Sequence, residues 1–231
     1  MEKEYIKIKK QSPLPNLISN QRELNDDIWK DLVFYYLLTF YKDYDKTELK
    51  SLIEAERNKT DPRIERQVAK YIRKSLNNNR KFSLCFKAFG ENTNDEEVEG
   101  SYDITIHNTN WRNDFFFECK NLDRGQDLVN KYVFYKMTPK KNDGGVYRYF
   151  NGKYAQNQDF GGMLGFILDG DVKTILNKII EKMKVPFDID PEGNLLSTEL
   201  NSIEGNDFTF NSIHTRKEIK FKLHHLLFNF Q

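Results

Sequence analysis

The residue types best suited to catalysis are three charged side chains between positions 103 and 120. Glu118 and Lys120 lie two positions apart in the apolar segment 113–121, which predicts a strand, so both side chains point to one face. Asp103 lies in the preceding predicted strand and reaches the same point if the two strands are antiparallel neighbours. Two converging carboxylates suit a hard cation such as Mg²⁺, and a lysine beside them can orient or deprotonate water. This combination suits attack of water on a phosphodiester.

The elements that must position these residues follow from hydrophobic periodicity and helix-end signals. Asp61 suits an N-cap and Pro62 suits the first helical position, which predicts a helix from 61 to about 76. The following predicted strands are 81–89, 101–107, 113–121 and 163–168, and the following predicted helices are 123–137 and 171–184. Residues 186–207 predict a loop, and a strand at 208–213 and an apolar element at 218–230 come last.

A third acidic residue lies on the inner side of the helix that precedes these strands. At 100° per residue, Glu65 falls with the apolar face of the helix, and the cations fall on the opposite face. One interpretation is an auxiliary metal ligand that points toward the sheet. The alternative is an acid stabilised by the helix dipole in the first turn. Glu91 and Glu99 are other candidates, in or beside a loop crowded with acids.

The pattern of an aspartate followed by Glu-x-Lys on adjacent strands, with a helix before and a helix after, resembles the PD-(D/E)XK nuclease superfamily. The resemblance covers about residues 61–170, and Tyr102 stands where that superfamily often has proline. It implies that Asp103 and Glu118 hold Mg²⁺ or Mn²⁺ and that Lys120 is the catalytic lysine. It also implies that the backbone carbonyl of Cys119 is a further ligand and that Glu65 is an auxiliary one.

The implied fold class is α/β (α+β), with a restriction-endonuclease-like core in which helices flank a central mixed sheet. Residues 1–58 form an N-terminal helical extension and 59–231 form the nuclease-like domain, or the chain is one continuous domain, 1–231. The predicted helix at about 20–44 is apolar on nearly every side, which indicates burial or packing against a partner.

A segment without periodicity, 138–162, is a candidate nucleic-acid surface because long irregular inserts are often functional. Its cations alternate with aromatic residues, which suits contacts to phosphates and stacking on bases. The alternative is an ordered loop whose aromatic rings only cover the sheet. The candidate cations are Lys140, Lys141, Arg148 and Lys153.

Three further polar residues are weaker candidates for contacts with nucleic acid. Gln126 lies early in the predicted helix after the Glu-x-Lys strand, where some nucleases of this superfamily carry glutamine. His214 and Arg216 share one face of a predicted strand and suit a phosphate contact, although polar residues on an edge strand are the commoner case. The basic face of the 61–76 helix also suits phosphates, but a solvated helix face is the preferred interpretation.

Composition excludes several classes of protein. The net charge is +1, no run of about 18 apolar residues suggests a membrane span, and the N-terminal segment has no apolar core of a signal peptide. Two cysteines cannot form a disulfide scaffold, so we expect a protein of a reducing cytoplasm. Neither a phosphate-binding loop nor a nucleophile elbow is present in the sequence, so we do not expect use of ATP.

We therefore expect a metal-dependent nuclease that hydrolyses phosphodiester bonds of DNA, as an endonuclease rather than an exonuclease. By resemblance, such a chain serves anti-phage defence or DNA processing beside a protein partner or as a homo-oligomer. The alternative is an inactive nuclease-fold subunit that acts as a binding or assembly module. Its apolar first helix and apolar C-terminal segment would then be interfaces.

Overall fold

A computed structural model describes residues 26–90, 103–111, 113–138, 141–189, 191–204 and 206–231, except the side chain of Lys141. The helices are α1 Asp26–Asp43, α2 Lys46–Arg57, α3 Ile64–Asn78, α4 Arg80–Ser83, α5 Gln126–Val133 and α6 Val172–Met183. The strands are β1 Lys87–Phe89, β2 Ile104–His107, β3 Phe115–Leu122, β4 Tyr135–Thr138, β5 Lys141–Asp143, β6 Phe160–Ile167, β7 Leu195–Leu200, β8 Thr209–Arg216 and β9 Ile219–Asn229. The predicted lead-in 1–18, the acidic tract 91–99 and Lys140 lie outside the described residues.

The protein is an α/β protein whose seven-stranded mixed sheet has the order β1-β2-β3-β6-β9-β8-β7. The three central strands β3, β6 and β9 run parallel, and antiparallel strands flank them on both sides. Every residue of β6 is buried, as expected of a strand covered on both faces. The carboxyl ends of the parallel strands therefore lie at one end of the sheet.

Helices cover both faces of this sheet and bury two apolar layers. Residues of α1, α2 and α3 pack with β2, β3 and the end of β9 in the first layer. Residues of α5 and α6 pack with β8, the start of β9 and the segment 146–155 in the second layer. The predicted N-terminal extension thus shares its apolar layer with the sheet. Within the described ranges, no helix has the length and apolarity needed to cross a bilayer.

Several element predictions need correction. Asp61 does not cap α3, which begins at Ile64, because its carboxylate instead accepts from the Arg63 guanidinium. The strand predicted over 81–89 is wrong in its first half, because the Asn79 side chain caps the short helix α4. The predicted helix 123–137 ends at Val133, where a β-hairpin follows. The predicted loop 186–207 contains β7, an edge strand too exposed to show a hydrophobic pattern.

A chain of buried hydrogen bonds crosses the second apolar layer. Tyr132 Oη lies 2.9 Å from His225 Nδ1, and His225 Nε2 lies 2.7 Å from Ser212 Oγ. His214 Nε2 lies 2.8 Å from Ser212 Oγ, and His214 Nδ1 lies 2.8 Å from the Gly193 carbonyl oxygen. A carbonyl can only accept, so neutral His214 donates from Nδ1 and accepts from Ser212. This direction makes His225 the donor to Ser212 and Tyr132 the donor to His225.

Burial lowers the pKa of His214 to about 4, whereas an unperturbed histidine has a pKa of 6.5. Between pH 6.5 and 4, His214 is protonated in the unfolded chain but neutral in the native protein. The contribution of neutral His214 to the free energy of unfolding is therefore complete above pH 6.5 and is lost as the pH falls toward 4. His214→Asn keeps an amide N–H for Gly193 and removes this titration. Between pH 7 and 5, urea unfolding should show a loss of stability about 2 kcal/mol larger in the wild type than in the variant. Equal losses would contradict the assigned burial.

Candidate active site

The site forms where side-chain carboxylates replace strand carbonyls as acceptors along β3. Among the described residues, the pairing of β2 with β3 extends to Ile104 and Phe117. Beyond that point the Cys119 amide donates to Asp103 Oδ2 at 2.7 Å, and the Asn121 amide donates to Glu65 Oε2 at 3.2 Å. These two amides point to the same edge because alternate residues of a strand direct their backbone groups alike. The strand edge therefore draws the carboxylates of Asp103 and Glu65 to one place.

The Lys120 ammonium bridges the groups gathered at this edge. Its Nζ lies 3.0 Å from Glu65 Oε1, 2.5 Å from Glu118 Oε1 and 2.9 Å from the Cys119 carbonyl oxygen. The exposed fraction of the side chain is 13% for Lys120, 1% for Glu118 and 30% for Glu65, so the pair with Glu118 is buried and the pair with Glu65 is partly open to solvent. The structure thus brings together Glu65, Glu118, Lys120 and the backbone of Cys119. The Cys119 thiol is buried in the first apolar layer, on the other face of β3.

Glu118 is a buried carboxylate that accepts hydrogen bonds from three side chains. Its Oε1 accepts from Lys120 and, at 2.8 Å, from Arg148 Nη1, and its Oε2 accepts from the Tyr154 hydroxyl at 2.9 Å. The side chain is 1% exposed. Removing a charge from water is costly unless it is paired and hydrogen-bonded, and these donors meet that requirement.

The electrostatics of the site reflect crowded negative charge. Burial and the neighbouring Glu118 carboxylate raise the pKa of Asp103 to about 7. Burial alone would lower the pKa of Lys120, but Glu118 and Glu65 raise it above its usual range. Lys120 is therefore an ammonium at neutral pH, and Asp103 changes its charge close to neutrality.

The network as a whole carries an excess of negative charge when all its groups are ionised. Four carboxylates, those of Glu65, Asp103, Glu118 and Asp143, face the cations Lys120 and Arg148. Arg73 donates to the Asp103 carbonyl oxygen and is a third cation beside the site. Four acids against three cations leave one negative charge uncompensated, which a bound cation would offset.

The donor set fits the chemistry of a hard divalent cation. Carboxylate and backbone carbonyl oxygens are the ligands that Mg²⁺ prefers, and Asp103, Glu118, Glu65 and the Cys119 carbonyl supply them. Within the described part of the chain, no three histidine, cysteine or acidic side chains already stand in the arrangement of a metal centre. At this edge the Lys120 ammonium bridges two of the carboxylates.

The predicted nucleic-acid segment has two different parts in the structure. Its aromatic rings are buried, and Tyr149 and Tyr154 are fully inaccessible to solvent. The rings therefore pack against the sheet and are not exposed for stacking on bases. Arg148 points into the site and binds Glu118 and Asp143. Lys153 is exposed, whereas the side chain of Lys141 and the whole of Lys140 are not described.

The remaining sequence candidates lie away from Lys120. His214 and Arg216 are buried, and the Arg216 guanidinium donates to the Tyr154 carbonyl oxygen at 3.1 Å. A surface phosphate contact is therefore the wrong role for both. Gln126 is exposed on α5, and its amide donates to Asn130 at 3.3 Å.

Sequence reasoning missed Asp143 and Tyr154 as site residues. Both lie in the segment without periodicity, so no pattern indicates which way their side chains point. The only signal was the position of that segment between the Glu-x-Lys strand and its parallel neighbour β6.

Comparison with models of protein families, with curated proteins and with solved structures gives no match to this chain. A functional hypothesis therefore depends on the contacts and charges of its own residues. Five charged or polar hydrogen bonds converge on Lys120 and Glu118, one of which joins the two residues.

Because its pKa is raised, Asp103 should destabilise the metal-free protein at high pH, where its carboxylate is ionised. Native Asp103 binds its proton more tightly than the unfolded residue, whose pKa is 3.8, so its contribution to stability is lost as pH rises through about 7. Asp103→Asn keeps an acceptor for the Cys119 amide and removes the charge. In EDTA at pH 8, urea unfolding should find the variant more stable by roughly 2 to 4 kcal/mol, with a smaller difference at pH 5. A variant less stable than the wild type at pH 8 would oppose this assignment.

Proposed function

We propose that this protein is a metal-dependent nuclease that hydrolyses phosphodiester bonds of DNA. The observation that carries the proposal is the convergence of the Glu65, Asp103 and Glu118 carboxylates near Lys120. Support also comes from topology. The order along the chain is helix α3, the antiparallel strands β1, β2 and β3, helix α5 and the parallel strand β6, as expected from the PD-(D/E)XK resemblance. The short helix α4 and the β4–β5 hairpin are inserted into this order.

The metal would be held by Asp103, Glu118 and the Cys119 carbonyl, with Glu65 as an auxiliary ligand. A bound Mg²⁺ or Mn²⁺ would polarise the phosphate and acidify the attacking water. In the metal-free protein Lys120 is cationic, which favours orientation of water and stabilisation of developing negative charge over removal of a proton. Burial of Glu118 keeps competing water away from its carboxylate.

The outer face of α3 is the proposed approach for the substrate. Lys70 is exposed, and the concave surface around it is also lined by Arg66 and Arg73. Arg73 donates to the Asp103 carbonyl oxygen, so this basic surface reaches the site. The nearby acids Glu56 and Asp61 are paired with Lys59 and Arg63. A phosphate backbone on this face would lead toward the strand edge.

A second candidate is an inactive nuclease-fold subunit that acts as an assembly module. The observation that favours it is that Glu118 already accepts hydrogen bonds from Lys120, Arg148 and Tyr154, so the charge of this carboxylate is paired without a metal. The apolar helix α1 has little apolar surface left for an assembly interface, because most of its large side chains are packed in the first apolar layer. From the resemblance we also propose that the protein acts in anti-phage defence or DNA processing beside a protein partner.

Cleavage should require both Lys120 and a divalent cation. Supercoiled plasmid, linear duplex and single-stranded DNA are incubated with Mg²⁺, Mn²⁺ or EDTA. Lys120→Ala should slow cutting by roughly 100-fold or more, while circular dichroism verifies its fold. Lys220→Ala is the matched control, because Lys220 is exposed at the start of β9, at the opposite end of the sheet. Cutting that survives Lys120→Ala, or that continues in EDTA, would exclude this site as the catalyst.

Binding of DNA should depend on the basic face of α3. Removing one contact between a cation and a phosphate lowers the slope of log affinity against log salt by about 0.9 for duplex DNA. Lys70→Gln should therefore weaken binding of a fluorescent duplex in EDTA and reduce that slope by the amount expected for about one phosphate. Lys220→Gln should leave both quantities unchanged. Identical salt slopes in Lys70→Gln and the wild type would place the DNA elsewhere.

A further inference from the structure

Arg148 and Asp143 form a forked ion pair beside the site. Arg148 Nε lies 2.7 Å from Asp143 Oδ1, and Arg148 Nη2 lies 3.0 Å from Asp143 Oδ2. This parallel arrangement fixes the plane of the guanidinium as well as its position. Burial alone would raise the pKa of Asp143, but the hydrogen bonds from Arg148 and the Gly144 amide lower it to about 2. Asp143 is therefore a permanent anchor for Arg148 at neutral pH.

The remaining arm of the same guanidinium reaches the buried carboxylate. Arg148 Nη1 donates to Glu118 Oε1 at 2.8 Å and to the Tyr154 hydroxyl oxygen at 3.2 Å. Tyr154 in turn donates to Glu118 Oε2 at 2.9 Å. A phenol is protonated at neutral pH, so Tyr154 is a donor to this carboxylate. The two carboxylate oxygens of Glu118 are thus held separately.

The backbone of the same segment passes close to the Glu118 side chain at Gly145. A Cβ atom at Gly145 would lie 2.6 Å from Met163 Cε, 2.9 Å from the Tyr132 carbonyl oxygen and 3.4 Å from Glu118 Cγ. No side chain fits at position 145 without displacing its neighbours, so glycine allows the chain to pass close to the carboxylate. The Gly145 amide donates to the Lys131 carbonyl oxygen at 2.9 Å, which ties this passage to the end of α5.

A carboxylate offers about four lone-pair positions. Lys120, Arg148 and Tyr154 use three of those of Glu118, which leaves one position on Oε2 for a further ligand. Arg148 and Tyr154 therefore determine which oxygen is available and how the carboxylate plane is turned. A side chain with this many fixed donors cannot change rotamer without breaking several charged hydrogen bonds.

We propose that Arg148, anchored by Asp143, and Tyr154 are positioning residues that hold Glu118 in the orientation needed to bind the divalent cation. This inference rests on the proposed function and assigns a role to the segment 141–158. It differs from the sequence-based expectation for Arg148, in which the guanidinium contacts nucleic acid. The two roles predict different defects. A positioning residue affects the metal requirement, whereas a substrate contact affects the KM for DNA.

The test compares Arg148→Lys and Tyr154→Phe with the wild type. Arg148→Lys keeps a positive charge but loses the fork, and Tyr154→Phe removes one hydrogen bond at nearly constant shape. Arg124→Lys is the matched control, because Arg124 forms a similar forked pair with Asp169 on the exposed surface. For each protein, free Mn²⁺ is measured by electron paramagnetic resonance during titration, and DNA cleavage is measured against Mg²⁺ and against DNA concentration. Thermal unfolding verifies that each variant is folded.

We expect Arg148→Lys and Tyr154→Phe to weaken Mn²⁺ binding roughly 10-fold or more, as loss of a group that orients a metal ligand typically does. The Mg²⁺ requirement for cleavage should rise in parallel, the KM for DNA should stay unchanged, and Arg124→Lys should behave as the wild type. Wild-type Mn²⁺ affinity in both variants, or a raised KM alone, would overturn the positioning role. A wild type that neither binds Mn²⁺ nor cuts DNA would overturn the proposed function and this inference together.

Discussion

The need of two β3 amides for hydrogen-bond acceptors is the constraint on which the site depends. A buried backbone amide needs an acceptor, and two amides of β3 find theirs in side-chain carboxylates instead of strand carbonyls. Once Asp103 and Glu65 take these positions, negative charge accumulates beside Glu118. Lys120 then bridges Glu65 and Glu118 through its ammonium group. A hydrogen-bonding requirement of the sheet thus becomes a concentration of oxygen ligands at one edge.

This concentration has an energetic cost that the rest of the fold must bear. Buried ion pairs repay their desolvation only with good geometry and complete hydrogen bonding. The three donors to Glu118 and the forked Asp143–Arg148 pair meet this condition, but the pKa of Asp103 remains raised to about 7. The two apolar layers supply the stability that tolerates it. Strained or uncompensated charge of this kind is typical of functional sites, where stability and activity conflict.

Much of this arrangement was predictable because it follows from strand and helix periodicity. Alternation of side chains along β3 predicts that Glu118 and Lys120 share one face, and helical periodicity predicts that Glu65 points toward the sheet. The hydrogen bonds from Arg148 and Tyr154 to Glu118 were not predictable. Both residues lie in a segment without periodicity, about 30 positions away from β3 in sequence. Local capping misled the prediction at 81–89, where the Asn79 side chain favours a helical turn over a strand.

The most direct test of the central claim is a crystal structure of the protein soaked with Mn²⁺, with anomalous diffraction used to locate the ion. We expect one strong anomalous peak bound by the carboxylates of Asp103 and Glu118 and by the Cys119 carbonyl oxygen. Lys120 should then have given up its hydrogen bond to that carbonyl. A saturating soak that leaves no peak at this edge, with Lys120 still bridging Glu65 and Glu118, would contradict the claim.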